Sequence, residues 1–472
     1  MNIEHMKARL AEIWNNDITP TLVEYIKIPN ESPTFDANWR ENGHMDKAVE
    51  LARAWAAERQ IPSLKVEVHR LEDRTPVILA QIPGSKPGNI LLYGHLDKQP
   101  PFEGWRTEEG LGPWTPVIQG EKLYGRGGAD DGYALFASLA AVEVLLEQGI
   151  ELPDTNILIE CSEESGSPDL PAYVDYLQEA LGAPDLVVCL DSGCGDYERL
   201  WMTTSLRGIT VGELRVDVLH EGVHSGDASG VIPSSFRIAR ELLDRIEDPR
   251  TGKILVEELH TEIPSSRVTQ AHAAASVLKE TVYTKFPRVG ELAPMHQELA
   301  ELILNRTWRP ALSVTGQAGM KPLENAGNVL RPQTTLKLSL RLPPTLDAQA
   351  ATTKLKEVLE ADPPYGATVE FKTKELAGDG WHAPETAQWL EDALHETSRR
   401  HFGQTACFMG EGGSIPFMGM LGEKFPRAQF VITGVLGPAS NAHGPNEFLH
   451  LTYAEKLTAC VADIIAALAS KD

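Results

Sequence analysis

Asn89-Ile90-Leu91-Leu92-Tyr93 runs straight into Gly94-His95-Leu96-Asp97. Two further stretches have the same build. Thr155-Asn156-Ile157-Leu158-Ile159 leads into Glu160-Cys161-Ser162-Glu163-Glu164, and Leu186-Val187-Val188-Cys189-Leu190 leads into Asp191. Short continuous apolar runs of this kind read as strands buried on both faces of a parallel sheet. In open α/β sheets the carboxyl ends of the strands form the ligand crevice. Imidazole and carboxylate groups delivered there from separate strands converge on one point, and the three runs together predict a cation site serving hydrolysis.

Around these strands the first 207 residues alternate helix and strand. Amphipathic stretches fall near 3–28 and 43–59, strands near 65–71 and 77–83, and helices at 131–148 and 170–181. That alternation predicts an α/β fold, a mostly parallel sheet with helices on both faces. Past Arg207 the pattern changes. In Thr335-Leu336-Lys337-Leu338-Ser339-Leu340-Arg341-Leu342 the leucines occupy one face and the polar residues the other, as in a strand with one solvated face. Similar strands at 209–218 and 367–374, with helices near 233–246 and 346–360, predict an inserted α+β domain. The expected boundaries are 1–207 and 377–472 for the first domain and 208–376 for the insert. The first domain resumes with a helix at 385–401, a strand at 429–435 and a final helix, whose start matches a capping box from Thr452 to Glu455.

At 472 residues two domains of unequal size are the natural expectation. The 42% apolar and 23% charged content is that of an ordinary globular protein. Forty-three basic against 67 acidic residues leave a net charge of −24, which argues against nucleic acid or an anionic membrane as partner. Five scattered cysteines without a C-x-x-C pair support neither a zinc finger nor a disulfide framework, and a reducing cytoplasm fits them. No signal peptide and no run of membrane-spanning length is expected, so the protein reads as soluble and cytoplasmic.

His95 follows a glycine at a strand end, and Asp97, two residues on, is placed to hold the ring in one tautomer. By itself the triplet reads more readily as a hydrogen-bonded surface histidine. In Gly125-Arg126-Gly127-Gly128-Ala129-Asp130-Asp131 the glycines permit a tight turn, and Asp131 is explained as a cap or first-turn acid of the following helix. Asp130 then has the freer carboxylate, able to bridge two cations. Glu163 and Glu164 are adjacent like charges after a buried strand, costly unless a positive group lies beside them. One can ligate metal while the other takes a proton from water; ion pairing with Lys or Arg is the alternative. Asp191 suits a ligand or a turn aspartate. His443 lies in the Gly- and Pro-rich loop Gly437–Pro445. Two imidazoles with several carboxylates suit zinc, with manganese or cobalt as alternatives.

The ordered set Gly94-His95-Leu96-Asp97, Gly125-Arg126-Gly127 through Asp130-Asp131, Glu163-Glu164-Ser165-Gly166, Asp191, His224-Ser225-Gly226 and His443 resembles the dinuclear zinc exopeptidase family. That family includes carnosine dipeptidase, bacterial dipeptidases, succinyl-diaminopimelate desuccinylase and acetylornithine deacetylase. The resemblance covers nearly the whole chain. It implies two divalent metal ions bridged by Asp130, with His95 and Asp191 completing one site and Glu164 and His443 the other. It makes Glu163 the general base on the bridging water and Asp97 the group that orients His95.

The same resemblance implies that the insert is a lid and dimerisation domain of a homodimer. There His224 matches a histidine that stabilises the tetrahedral oxyanion in the partner's active site. Arg341 matches an arginine that grips the substrate's terminal carboxylate, Asn328 a further lid contact, and Gly413 and Ser414, within Glu411–Pro416, a loop at the same end of the substrate. Many relatives carry lysine then glycine where this chain has Gly132-Tyr133, which puts the pocket beside the bridging aspartate in question. Aspartate at 191 is commoner among dipeptidase and aminopeptidase relatives than among deacylases. The expected substrate is therefore a dipeptide or short peptide with a free carboxyl end, the alternative being an N-acyl amino acid cleaved by an amidohydrolase with the same metal chemistry.

Overall fold

In a computed structural model, which describes residues 1–471, the chain divides into two compact units. The first comprises Met1–Thr203, Ala383–Phe408 and Pro416–Asp472, of which Asp472, the end of the expected 377–472 segment, lies outside the described residues. The second comprises Thr204–His382 and Met409–Ile415, so Gly413 and Ser414 belong to it.

The first unit is built on a six-stranded sheet in the order Lys65–His69, Val77–Ile82, Pro153–Glu160, Lys86–His95, Leu186–Cys189 and Gln429–Ile432. The three apolar runs are its centre. Lys86–His95 pairs in parallel with both Pro153–Glu160 and Leu186–Cys189, and Gln429–Ile432 joins the latter in parallel. The sheet is mixed, because Val77–Ile82 runs antiparallel to both of its neighbours. Register decides where function can sit. His95 is opposite Glu160 and Tyr93 is opposite Cys189, so His95, the Glu163-Glu164 turn and Asp191 all emerge at one sheet edge. The helices Ala134–Glu147 and Leu451–Ala469 are apolar on nearly every side and correspondingly buried, as interior helices should be.

The second unit carries an antiparallel sheet in the order Ala311–Ala318, Gln333–Leu342, Gly208–Asp217 and Thr368–Gly378. Leu336, Leu338, Leu340 and Leu342 alternate inward, as their spacing predicts, and form one core with Leu214, Val216, Phe371 and the helices Ser235–Leu243 and Ala348–Glu360. Helices at Ser265–Leu278 and Leu299–Thr307 have no counterpart in the sequence reading. The first has little amphipathic contrast, so no hydrophobic stripe marks it.

Two local expectations fail. The final helix is capped by His450, whose Nδ1 accepts the Tyr453 amide at 3.3 Å. The Leu451 amide donates to Glu121 O at 2.8 Å, which starts the helix ahead of the supposed cap, and Thr452 Oγ1 donates to Glu121 Oε1 at 2.5 Å. Asp131 is likewise no helix cap. Regular helix begins at Ala134, Asp130 and Asp131 have non-helical backbone angles, and their shared peptide is cis. The Asp131 carboxylate is instead taken up by the His95 amide, which it accepts at 3.3 Å.

Candidate metal centre

Five side chains named from the sequence meet in the first unit as two groups sharing Asp130: His95, Asp130 and Asp191, and Asp130, Glu164 and His443. Each oxygen of Asp130 serves a different group. Oδ1 lies 3.3 Å from His95 Nε2, which is also 3.7 Å from Asp191 Oδ2. Oδ2 lies 3.0 Å from His443 Nε2, which is 3.3 Å from Glu164 Oε2. Glu163 Oε2 is 3.9 Å from His95 Nε2.

The backbone explains why these atoms can approach. A Cβ on Gly94 would lie 2.4 Å from Ala134 Cβ and 2.7 Å from Asp131 Oδ2, so only glycine lets the Asp130 turn close on the strand that ends at His95. Gly132 is equally tight, with the Tyr25 ring 2.2 Å from where its Cβ would be. Tyr133 is buried and its hydroxyl donates to Leu190 O at 2.6 Å, one residue before Asp191. Tyr133 thus supports the strand end that presents Asp191.

Asp97 is fully buried, and its role differs from the simple one of holding a ring. The nearest acceptor to His95 Nδ1 is the Asp97 carbonyl oxygen, at 3.1 Å, with the carboxylate Oδ1 at 3.5 Å. The carboxylate accepts the backbone amides of Glu163 at 3.0 Å and Glu164 at 2.9 Å. One residue therefore fixes both the His95 tautomer and the turn carrying the two glutamates. Gln99, which sequence reasoning passed over, donates to Glu164 Oε2 at 2.6 Å. Asp131 carries the pattern of a helix cap, and nothing local distinguishes Gln99 from an ordinary polar loop residue.

The electrostatics are those of a crowded anionic pocket. Burial, reinforced by neighbouring carboxylates and opposed by His95, pushes Asp191 and Glu163 well above the ordinary carboxylate range. Burial also works to raise Asp130, but hydrogen bonds from His443 and His95 outweigh it and hold this group low. His443 is only partly shielded from solvent; that shielding works to lower it, and Asp130 and Glu164 more than reverse the effect, lifting the imidazole to about 11. Carboxylates this close repel one another unless positive charge lies among them, and the imidazole and carboxylate donors suit a borderline divalent ion. The residues present fit a pair of such ions.

The remaining predicted residues lie in the second unit, in two local groups. His224 and Asn328 are neighbours: His224 pairs with Val329, and the Ser225 amide donates to Asn328 O at 2.9 Å. His224 is exposed, and its Nδ1 accepts the Gly226 amide at 3.1 Å, leaving Nε2 as the protonated nitrogen of the neutral ring. Arg341 Nη1 donates to Ser414 Oγ at 3.3 Å, and Ser414 donates to Arg207 O. Arg207 was missed, having no motif around it. Its amide donates to Gly413 O at 3.1 Å and its guanidinium reaches Gly412 O, Asn305 O and Arg309 O. Burial, then Arg341 and Arg306, lower its pKa to about 9.

The model of peptidase family M20/M25/M40 matches residues 91–467, a span containing every ligand of both groups. The chain belongs to this family. Among its relatives, cysteinylglycine-S-conjugate dipeptidase of Corynebacterium striatum is 28% identical over 439 residues, covering 87% of this chain and 90% of that protein. Human Beta-Ala-His dipeptidase is 26% identical over 455 residues, covering 92% and 87%. The crystal structure of human carnosine dipeptidase 1 superimposes with a TM-score of 0.78 at 20% identity, covering 100% of this chain and 99% of that one, a likeness of fold. The α/β fold expected from the sequence is the fold observed. Among the described residues no helix is long and apolar enough to cross a membrane.

Proposed function

We propose that this M20 peptidase hydrolyses dipeptides or short peptides bearing a free carboxyl end, with two divalent ions, zinc foremost, held by His95 and Asp191 on one side, Glu164 and His443 on the other, and Asp130 between. The observation that carries the reading is Asp130, whose two oxygens face the two separate ligand groups. When bound, such ions lower the pKa of water and polarise a carbonyl. Glu163 accepts the proton from the attacking water and returns it to the leaving amine. Asp97 holds Glu163 in place through its backbone amide and keeps His95 Nε2 free to ligate.

In the second unit, His224 supplies an Nε2–H donor for the oxyanion developing in the active site of the partner copy, and Asn328 is a further lid contact. Arg341, braced by Ser414, takes the terminal carboxylate of the substrate, with the Gly413 backbone lining the same end. A guanidinium fork suits that task. The 208–376 region serves as a lid and joins two copies into a homodimer. The edge strand Ala311–Ala318, where Val314 is exposed, supports pairing of this kind. Relatives named dipeptidases and the aspartate at 191 favour a peptide substrate over an N-acyl amino acid, and the five buried cysteines, none in a disulfide among the described residues, agree with a cytoplasmic setting.

The test is a rate panel of dipeptides against N-acetyl and N-succinyl amino acids, with zinc or manganese added. Turnover of dipeptides alone supports the reading. Turnover confined to acylated amino acids overturns it in favour of an amidohydrolase.

A further inference from the structure

One buried ion pair ties together three of the segments that deliver metal ligands. Arg126 and Glu447 are almost wholly removed from solvent, and Arg126 Nη1 donates to Glu447 Oε2. Arg126 Nη2 donates to Gly444 O at 2.8 Å, immediately after His443, and Nε donates to Pro100 O at 3.2 Å, three residues past Asp97. Glu447 Oε1 accepts the Gly127 amide at 2.9 Å, and its backbone carbonyl accepts the Gly125 amide at 3.0 Å. Gly127 opens the turn that carries Asp130.

The His443 loop needs such a brace. Ala439, Asn441, His443 and Asn446 all have positive φ, between 57° and 63°, a conformation that costs energy for residues with a Cβ and persists only when surrounding structure enforces it. The His443 side chain is 56% exposed, so packing does little to place it, whereas His95 sits fully buried at the end of a central strand. Position in the His443 group must therefore come from hydrogen bonds to its backbone. The Gly444 amide is tied within the loop, to Asn441 O at 2.9 Å, whereas the guanidinium bond to Gly444 O comes from outside the loop and is anchored to the Asp130 turn through Glu447.

We infer that the Arg126–Glu447 pair is a positioning device for the Asp130–Glu164–His443 metal group, setting the affinity of that site and acting far less on the His95–Asp130–Asp191 site, whose His95 is fixed by its central strand. This rests on the two-metal reading proposed above. Groups that orient a ligand in this way typically govern metal affinity by about 10–100-fold.

Zinc titration of the chelator-stripped full chain by calorimetry tests it, with His443→Ala marking which binding step belongs to the second group. Arg126→Gln and Glu447→Gln each leave one buried partner unmatched and lower thermal stability as well. The double variant Arg126→Met with Glu447→Leu removes both charges and keeps the test open should a single substitution unfold the chain. We expect all three to weaken the second step by about 10–100-fold, with the first step changed less than about 3-fold, and the double variant to regain thermal stability without regaining the second step. A second step that is unchanged, that returns with stability in the double variant, or that falls together with the first overturns the inference. Wild-type protein taking up fewer than two ions overturns the two-metal reading itself, a failure visible before any variant is made.

Discussion

The Asp97 carboxylate lies under the Glu163-Glu164 turn, accepting the Glu164 amide at 2.9 Å through Oδ2 while Oδ1 accepts that of Glu163. An asparagine there has one acceptor and an NH2 that opposes one of the two amides. Asp97→Asn is expected to weaken zinc binding by about 10–100-fold, the effect seen when groups that orient ligands are changed. Circular dichroism should show the fold intact, and metal titration measures the loss. Unchanged affinity would mean that the turn holds its shape without the carboxylate.

Glu163 takes no part in the two ligand groups, although it reaches within 3.9 Å of His95 Nε2. Glu163→Gln keeps the shape and removes the base. We expect kcat to fall by about 10²–10⁴-fold with both ions retained and KM little changed. Steady-state kinetics paired with metal analysis separates this from loss of a ligand. A variant that keeps most of its activity would displace Glu163 from the proton-transfer role.

Metal uptake should release protons. In the metal-free chain His443 is raised to about 11, so it is charged at neutral pH and must lose its proton to ligate. The stability this charge gives the metal-free protein is complete below the unfolded imidazole pKa near 6.5 and is lost as pH climbs toward about 11. Zinc binding should therefore tighten as pH rises over that window. Calorimetry at pH 7.5 in buffers of different ionisation enthalpy measures the protons released, and a buffer-independent heat would contradict the expectation.

Arg341 offers a test of substrate polarity. A hydrogen bond to a charged group contributes roughly 1.5–3 kcal/mol, so Arg341→Ala should reduce kcat/KM by about 10–150-fold on dipeptides, mostly through KM. On C-terminally amidated dipeptides the same substitution should change little. Equal losses on both substrates would assign Arg341 a structural role.

How much of this was legible beforehand follows from the range of each signal. Leu91, Leu158 and Val188 lie in continuous apolar runs, and such runs at strand length announce a sheet interior without any knowledge of partners. His95, Glu164 and Asp191 inherit their places from those strands, so the edge they share could be read from the chain. Asp131 misled because an acid ahead of an apolar helical run is the ordinary cap pattern, while the His95 amide that claims it belongs to a different strand. Arg126 stands in a glycine-rich motif that could be seen, but its partner Glu447 is 321 residues away and follows no spacing rule. Arg207 is held by carbonyl oxygens, which every residue possesses and no sequence pattern marks.

The central claim is that two ions held through Asp130 make this chain a dipeptide hydrolase. Its most direct measurement is the rate of dipeptide hydrolysis by chelator-stripped protein as zinc is returned in counted equivalents. The expected result is negligible turnover without metal and a rise to a plateau at two ions per chain, with Asp130→Ala failing to reach it at any zinc level. Hydrolysis that is full with no ion bound, or absent with two, would contradict the account.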